Sequence, residues 1–161
     1  MTTVKITGVP FDQLVPDIQE ALNDALAGTL ALQQGALGEA NPKDSGRMAS
    51  SWFIGHNTPR RDTRPEDWGT KAVRKTINGK STIVTPGSKT YEQEEYTSKI
   101  TFDGTWYISN NVPYAQPVCL LGGYPRSWGG SAPESIPKDW FSAIANQTGA
   151  VFTRQFNKVK P

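Results

Sequence analysis

Tyr96-Thr97-Ser98-Lys99-Ile100-Thr101-Phe102, then Asp103-Gly104, then Thr105-Trp106-Tyr107-Ile108-Ser109 is the stretch whose reading sets the fold class. Tyr96, Ser98, Ile100 and Phe102 alternate with Thr97, Lys99 and Thr101; Trp106 and Ile108 share one face, with Thr105, Tyr107 and Ser109 on the other. A period of two over β-branched and aromatic residues predicts strands. Asp-Gly between two such runs predicts a two-residue turn, because both residues accept the left-handed conformations that turn requires. The expectation is a β-hairpin over 96–109.

Outward from the hairpin the pattern becomes helical. Leu14, Ile18, Leu22 and Leu26 recur every fourth residue, and Val15, Ala21 and Ala25 widen the stripe. Asp12 or Pro16-Asp17 can open that helix. Leu30, Leu32 and Leu37 continue it, with Gly28 and Gly35 as weak points. Ahead of it, Val4, Ile6 and Val9 read as a short extended lead-in. Asp44 or Ser45 can cap a second, short helix through Met48, Ser51 and Trp52, and Phe53-Ile54 turns extended. A helical turn follows Pro113. Trp140, Ile144, Val151, Phe152, Phe156 and Val159 predict a closing helix interrupted near Gly149, with Arg154, Lys158 and Lys160 at its dipole-favoured end. The fold class is α+β: an antiparallel sheet packed against a long N-terminal and a C-terminal α-helix, with long loops. One domain over 1–161 is expected, with a long loop excursion over 58–92. Asn78-Gly79 marks a hairpin turn inside that excursion, with Ser81 to Val84 as a strand after it.

Composition narrows the function classes. Lys+Arg 17 against Asp+Glu 15 leaves a net charge of +2, without the basic excess of a dedicated nucleic-acid binder. A mean hydropathy of -0.52 with 15 glycines and 12 prolines implies many loops ordered by neighbours. The single cysteine, Cys119, excludes an internal disulfide. Met1 to Pro10 has one lysine and no apolar run, unlike a signal peptide. No apolar stretch reaches the length of a membrane span. A protein made in the cytoplasm, with no membrane partner, is expected.

The residues assemble no recognisable catalytic set, and the expectation is that the chain is not an enzyme. His56 is the only histidine, and no serine near it has the strand–turn–helix setting of a nucleophile elbow. Leu120 and Leu121 follow Cys119, which reads as a buried structural thiol. One histidine and one cysteine do not make a zinc site, and Glu92, Glu94 and Glu95 read as a solvated acidic edge. Gly122-Gly123 and Gly129-Gly130 lack the spacing of a phosphate loop. No cofactor and no metal are expected. Arg60, Arg61, Arg64, Trp68, Lys71, Arg74 and Lys75 form a basic, proline-broken stretch that reads as a partner-contact loop. A sugar-binding surface using Trp68, Trp106 and Trp128 is the alternative of a different class.

Two segments are more particular. One is Asn41-Pro42-Lys43-Asp44-Ser45-Gly46-Arg47-Met48-Ala49-Ser50-Ser51-Trp52. The other is Tyr107-Ile108-Ser109-Asn110-Asn111-Val112-Pro113-Tyr114-Ala115-Gln116-Pro117-Val118, running on to Gly122-Gly123. Together they resemble the tail-completion (neck) proteins of tailed bacteriophages, the family typified by a minor tail component of phage HK97. That family shows Asp-Thr-Gly-x-Leu opening a helix, then a serine-rich turn, and later a strand ending in Asn-x-x-Pro-Tyr-Ala. Ser45 and Met48 depart mildly from it. Pro117 to Gly122 lacks the glutamate the family often carries there. The resemblance implies a structural virion protein at the head–tail junction, forming a homo-oligomeric ring with six copies expected. Its implied partners are head-side connector or adaptor proteins and tail terminator or tail tube proteins, with transient, non-specific contact to genomic DNA. A tail terminator or another ring protein of the same neck is the near alternative.

Overall fold

The computed structural model describes residues 1–7, 16–41, 46–66, 68, 92–120 and 139–159, with 73–77 and 80–84 described as backbone. The elements run β1 (Thr2–Thr7), α1 (Pro16–Ala40), β2 (Phe53–His56), β3 (Val73–Ile77), β4 (Lys80–Val84), β5 (Thr105–Asn110), α2 (Ala115–Leu120), α3 (Trp140–Asn146) and α4 (Thr148–Val159). The fold is α+β. A three-stranded antiparallel sheet has the order β1-β5-β2, and β3-β4 form a separate two-stranded ribbon.

β5 is the centre of the sheet, paired on both edges, and its Trp106–Ile108 face is apolar. On one face, cross-strand rows join Ile6, Trp106 and His56, then Val4, Ile108 and Ile54. Trp106 and Ile108 are fully buried there. The hairpin expected over 96–109 does not form. Thr105 to Asn110 is a strand, but both its edges are taken by β1 and β2, so no ladder position remains for 96–102. That segment instead crosses to α1, where the Phe102 backbone N–H donates to Asn23 Oδ1 at 2.7 Å. The Trp106 indole N–H holds the turn from beneath, donating to the Thr101 carbonyl at 2.9 Å. Gly104 does adopt the left-handed conformation, at φ +63°. It lies against Asn57, also left-handed at φ 59°. The Thr105 N–H donates to Asn57 Oδ1 at 3.1 Å, and the Asn57 N–H donates to the Thr105 carbonyl at 2.7 Å.

α1 is the long beam of the molecule, about 37 Å at 1.5 Å per residue. Its glycines do not break it. The buried face is not centred on the every-fourth-residue leucine stripe: Ile18 is 39% exposed. Ala21, Ala25, Leu26, Leu30 and Leu37 face the core, with Thr29, Gln33 and Gln34 buried among them. The small residues let α4 approach, and the Gln155 side chain lies against Gly28. Phe152 stacks on Phe102 at 5.5 Å, so α4 also reaches the 96–102 segment. The closing helix is two helices, α3 and α4, parted at Gln147, close to the expected interruption.

The expected short helix over Met48–Trp52 is a turn. The Ser50 N–H donates to the Gly46 carbonyl at 2.9 Å and the Ser51 N–H to the Met48 carbonyl at 3.1 Å, and β2 begins at Phe53. β3 and β4 pair from Val73↔Val84 to Ile77↔Lys80, leaving the two residues 78–79 between them, as Asn-Gly predicts. The excursion over 58–92 therefore contains a two-stranded ribbon. No described helix is long and apolar enough to cross a membrane.

Candidate functional site

The two motif segments meet on the sheet. Asn110, at the end of β5, is fully buried, and its side-chain amide donates to the Met48 carbonyl at 2.8 Å. The same side chain accepts from the Val112 N–H at 3.2 Å. One residue thus ties the Gly46–Trp52 turn to the chain that leaves the strand, 62 residues away. Without it the Val112 N–H would be buried unpaired, and the Met48 carbonyl would keep only its bond from the Ser51 N–H. After this knot, Pro113 is exposed, Tyr114 packs half-buried against the core, and Ala115 opens α2 as a buried residue. Pro117 is accommodated because it falls in the first turn of α2.

A strap over Pro59–Glu66 crosses the face of the sheet opposite the main core. Its carbonyls are captured by side chains. The Ser109 hydroxyl donates to the Arg60 carbonyl at 2.8 Å, and Asn111 donates to the Arg61 carbonyl at 3.0 Å. Arg47 Nε donates to the Arg64 carbonyl at 2.8 Å. In return, the Arg64 N–H donates to Ser51 Oγ at 3.0 Å and Arg64 Nε to the Ser50 carbonyl at 3.1 Å. The Ser51 hydroxyl donates to the Arg47 carbonyl at 2.7 Å. Gly55 has no room for a side chain, since a Cβ would collide with the Thr58 carbonyl oxygen.

Charge is organised around Glu94. It accepts from Arg60 at 2.9 Å and lies 3.7 Å from Arg64, while Asp62 accepts from Arg60 Nε at 2.7 Å. Burial works against the Arg60 charge, but Asp62 and Glu94 outweigh it and hold the guanidinium above its ordinary range. Arg60 and Arg64 both lie over the Phe53 ring, at 4.8 and 5.7 Å, and Arg64 lies over Trp68 at 4.7 Å. Glu94 is thus a strap anchor and not the solvated edge expected for the 92–95 cluster. Glu92 and Glu95 are exposed.

Gly46, Arg47, Ser51 and Trp52 of the first motif, and Asn110, Asn111, Pro113, Tyr114 and Ala115 of the second, are brought into one neighbourhood. Gly46 stands at φ +80°, a conformation glycine adopts without strain. Trp52 is buried and stacks on Phe141 at 5.9 Å, its carbonyl accepting from Gln34 at 2.7 Å. Asp44, Ser45, Gly122, Gly123 and Lys71 lie outside the described residues. Arg60, Arg61 and Arg64 belong to the strap and Trp68 stacks beside it, whereas Arg74 and Lys75 lie on β3, apart from the strap. Ser50 and Ser109 enter the sequence reading only as members of the motif segments, Glu94 only as part of an acidic edge, and Asn23 not at all. A serine run before a strand, and a strand face that reads polar yet abuts Asn-Asn, are the signals that mark the first two.

His56 stacks on Trp106 at 4.3 Å, with Nε2 3.6 Å from Asp103 Oδ1 and 3.2 Å from the Asp103 carbonyl. Cys119 is buried, and burial pushes its thiol up to about 12, leaving no thiolate nucleophile at neutral pH. Among the described residues no three His, Cys, Asp or Glu side chains group as metal ligands. Trp106 is 0% exposed, so it offers no face to a sugar; Trp128 lies outside the described residues. Comparison with protein-family models, with curated proteins and with solved structures finds no match to this chain.

Proposed function

We propose that this chain is a structural virion protein of the phage head–tail junction, and not an enzyme. Copies form a ring that completes the tail interface and lets the genome pass. The observation that carries this reading is the Asn110–Met48 bond, which joins the two segments on which the family resemblance rests. Motifs that met by chance in sequence have no reason to share a buried hydrogen bond. The strap adds support: Arg60 and Arg64 are engaged with Glu94, Asp62 and the Ser50 carbonyl, an arrangement suited to a rigid docking surface. Near-balanced net charge suits a lumen that DNA slides through and does not grip.

Mass measurement of the purified chain, followed by imaging of virions by cryo-EM, tests the proposal. Density for this fold between the connector and the tail is the expected result, and a chain absent from particles sinks the reading. A position one layer lower would assign it as a tail terminator. The sugar-binding alternative is weakened by the buried Trp106.

A further inference from the structure

The net charge of +2 conceals a division of charge within the chain. Residues 68–91 hold Lys71, Arg74, Lys75, Lys80 and Lys89 and no Asp or Glu, so this stretch carries +5 and everything outside it is left at −3. Three of those cations, Arg74, Lys75 and Lys80, belong to the β3-β4 ribbon. Among the described residues, the ribbon packs on no helix or other strand to any substantial extent. A two-stranded ribbon alone is marginal in water. It is a cationic element to which its own described residues give little support.

The opposite charge lies along one side of α1. A groove of about 560 Å³ separates the helix from Tyr96 to Ile100. It continues into a smaller hollow of about 240 Å³, with which it shares Ala27, Tyr96 and Ile100. From Pro16 to Ala31 the helix side of this seam runs about 22 Å, and a five-residue strand runs about 17 Å, so the ribbon fits along it lengthwise. Glu20 and Asp24 stand on the α1 rim and Glu95 on the other, all exposed, against one cation, Lys99. Among the described residues none of these three carboxylates is ion-paired, whereas Asp62 and Glu94 are taken by the strap arginines. Neither surface suits its own kind: ribbon against ribbon opposes cations, and seam against seam opposes carboxylates. A head-to-tail contact uses both, and its closed form is a ring.

We infer that the β3-β4 ribbon of one copy lies along the seam between α1 and residues 93–100 of a second copy of this chain, so that the charge of Arg74, Lys75 and Lys80 meets that of Glu20, Asp24 and Glu95. The inference deepens the ring reading and rests on it for its setting. It also gives the ribbon a support beyond its own ladder. Contacts between exposed charges are screened by salt, so self-association weakens as ionic strength rises.

Charge reversal in the full chain tests it, read by light scattering alongside circular dichroism. Arg74→Glu with Lys75→Glu and Lys80→Glu reverses the ribbon; Glu20→Lys with Asp24→Lys and Glu95→Lys reverses the seam. Each triple variant is expected to weaken self-association by roughly tenfold or more. In an equal mixture of the two, every reversed ribbon meets a reversed seam and every unaltered ribbon an unaltered seam, so the mixture is expected to recover the wild-type mass. A misfolded variant would not be rescued in this way, and a ribbon that docked on its own chain would leave the mass of the triples unchanged. Wild-type mass in either triple variant, folded triples that stay monomeric on mixing, or a wild-type chain that is monomeric at low salt and high concentration overturns the docking. So does a ribbon variant that keeps its mass but loses retention on a DNA column, which would give the ribbon to nucleic acid. If the rescue pattern holds while virions lack the chain, the docking stands and the neck reading falls; if virions contain it and the triples still assemble, the reverse holds.

Discussion

The strap over Pro59–Glu66 and the ribbon β3-β4 come from the same basic, proline-broken stretch, yet they are held in different ways. The strap has no regular secondary structure and is fixed by side chains of other segments, with Ser109, Asn111, Arg47 and Ser51 each bonding to its backbone. The ribbon has a regular ladder but, among the described residues, is not packed to any substantial extent on another helix or strand. An isolated two-stranded ribbon is marginal in water. Regularity and anchoring therefore part company here: the irregular piece is tied down by side chains of the core segments, and the regular piece is held by its own ladder.

The comparison breaks most easily at the knot. Asn110→Ala strands the Val112 N–H and removes one of the two donors to the Met48 carbonyl, and is expected to lower stability by about 2–3 kcal/mol. Chemical denaturation measures it; a loss below about 1 kcal/mol would mean the knot is not what unites the two segments. Gly55→Ala drives a methyl group into the Thr58 carbonyl and should cost about 2 kcal/mol. It should also lift the strap, so trypsin should cut at Arg60–Arg61 sooner. Unchanged protection there would show that the strap is not pressed onto β2. Ser109→Ala removes one carbonyl anchor and should cost about 1 kcal/mol with a smaller gain in cleavage. The smallest effect belongs to the ribbon. Thr76→Pro breaks the β3-β4 ladder, yet global stability of the isolated chain should move by no more than about 0.5 kcal/mol. A large shift in the melting curve would place the ribbon inside the core and erase the contrast.

Much of the helical scaffold was legible. The apolar spacing from Ala21 to Leu37 and from Trp140 to Val159 marks helices wherever the chain packs. The turn chemistry of Asn78-Gly79 and Asp103-Gly104 was also informative, though in opposite ways. The first joins two strands of a ribbon. The second carries the left-handed glycine it promised, but its partner is Asn57 and not a sequence-adjacent strand. Alternation at Tyr96–Phe102 identified half-buried residues correctly and their pairing wrongly. Period-two patterning reports which side of the chain is buried, and it cannot report that β1 and β2 outcompete a neighbour for both edges of β5. The site followed the same rule. Gly46 was visible because its left-handed backbone favours glycine, and Asn110 only as part of the second motif segment, since its partner Met48 lies 62 residues away. Glu94 was not, because its role is set by Arg60, which lies 34 residues away in sequence.

The central place of β5 has a consequence for synthesis. Neither β1 nor β2 pairs with the other; each pairs only with β5. Thr7 and Thr105, which face each other in the first pair, are 98 residues apart. On the ribosome, then, no described strand of this sheet has a partner until β5 has emerged, and β1 waits with its backbone unpaired for a strand that begins 98 residues after Thr7. Closure over such separations is slow compared with helix formation. α1 is expected to be helical early and the sheet to lock late, in one step, when β5 slides between two strands already waiting for it.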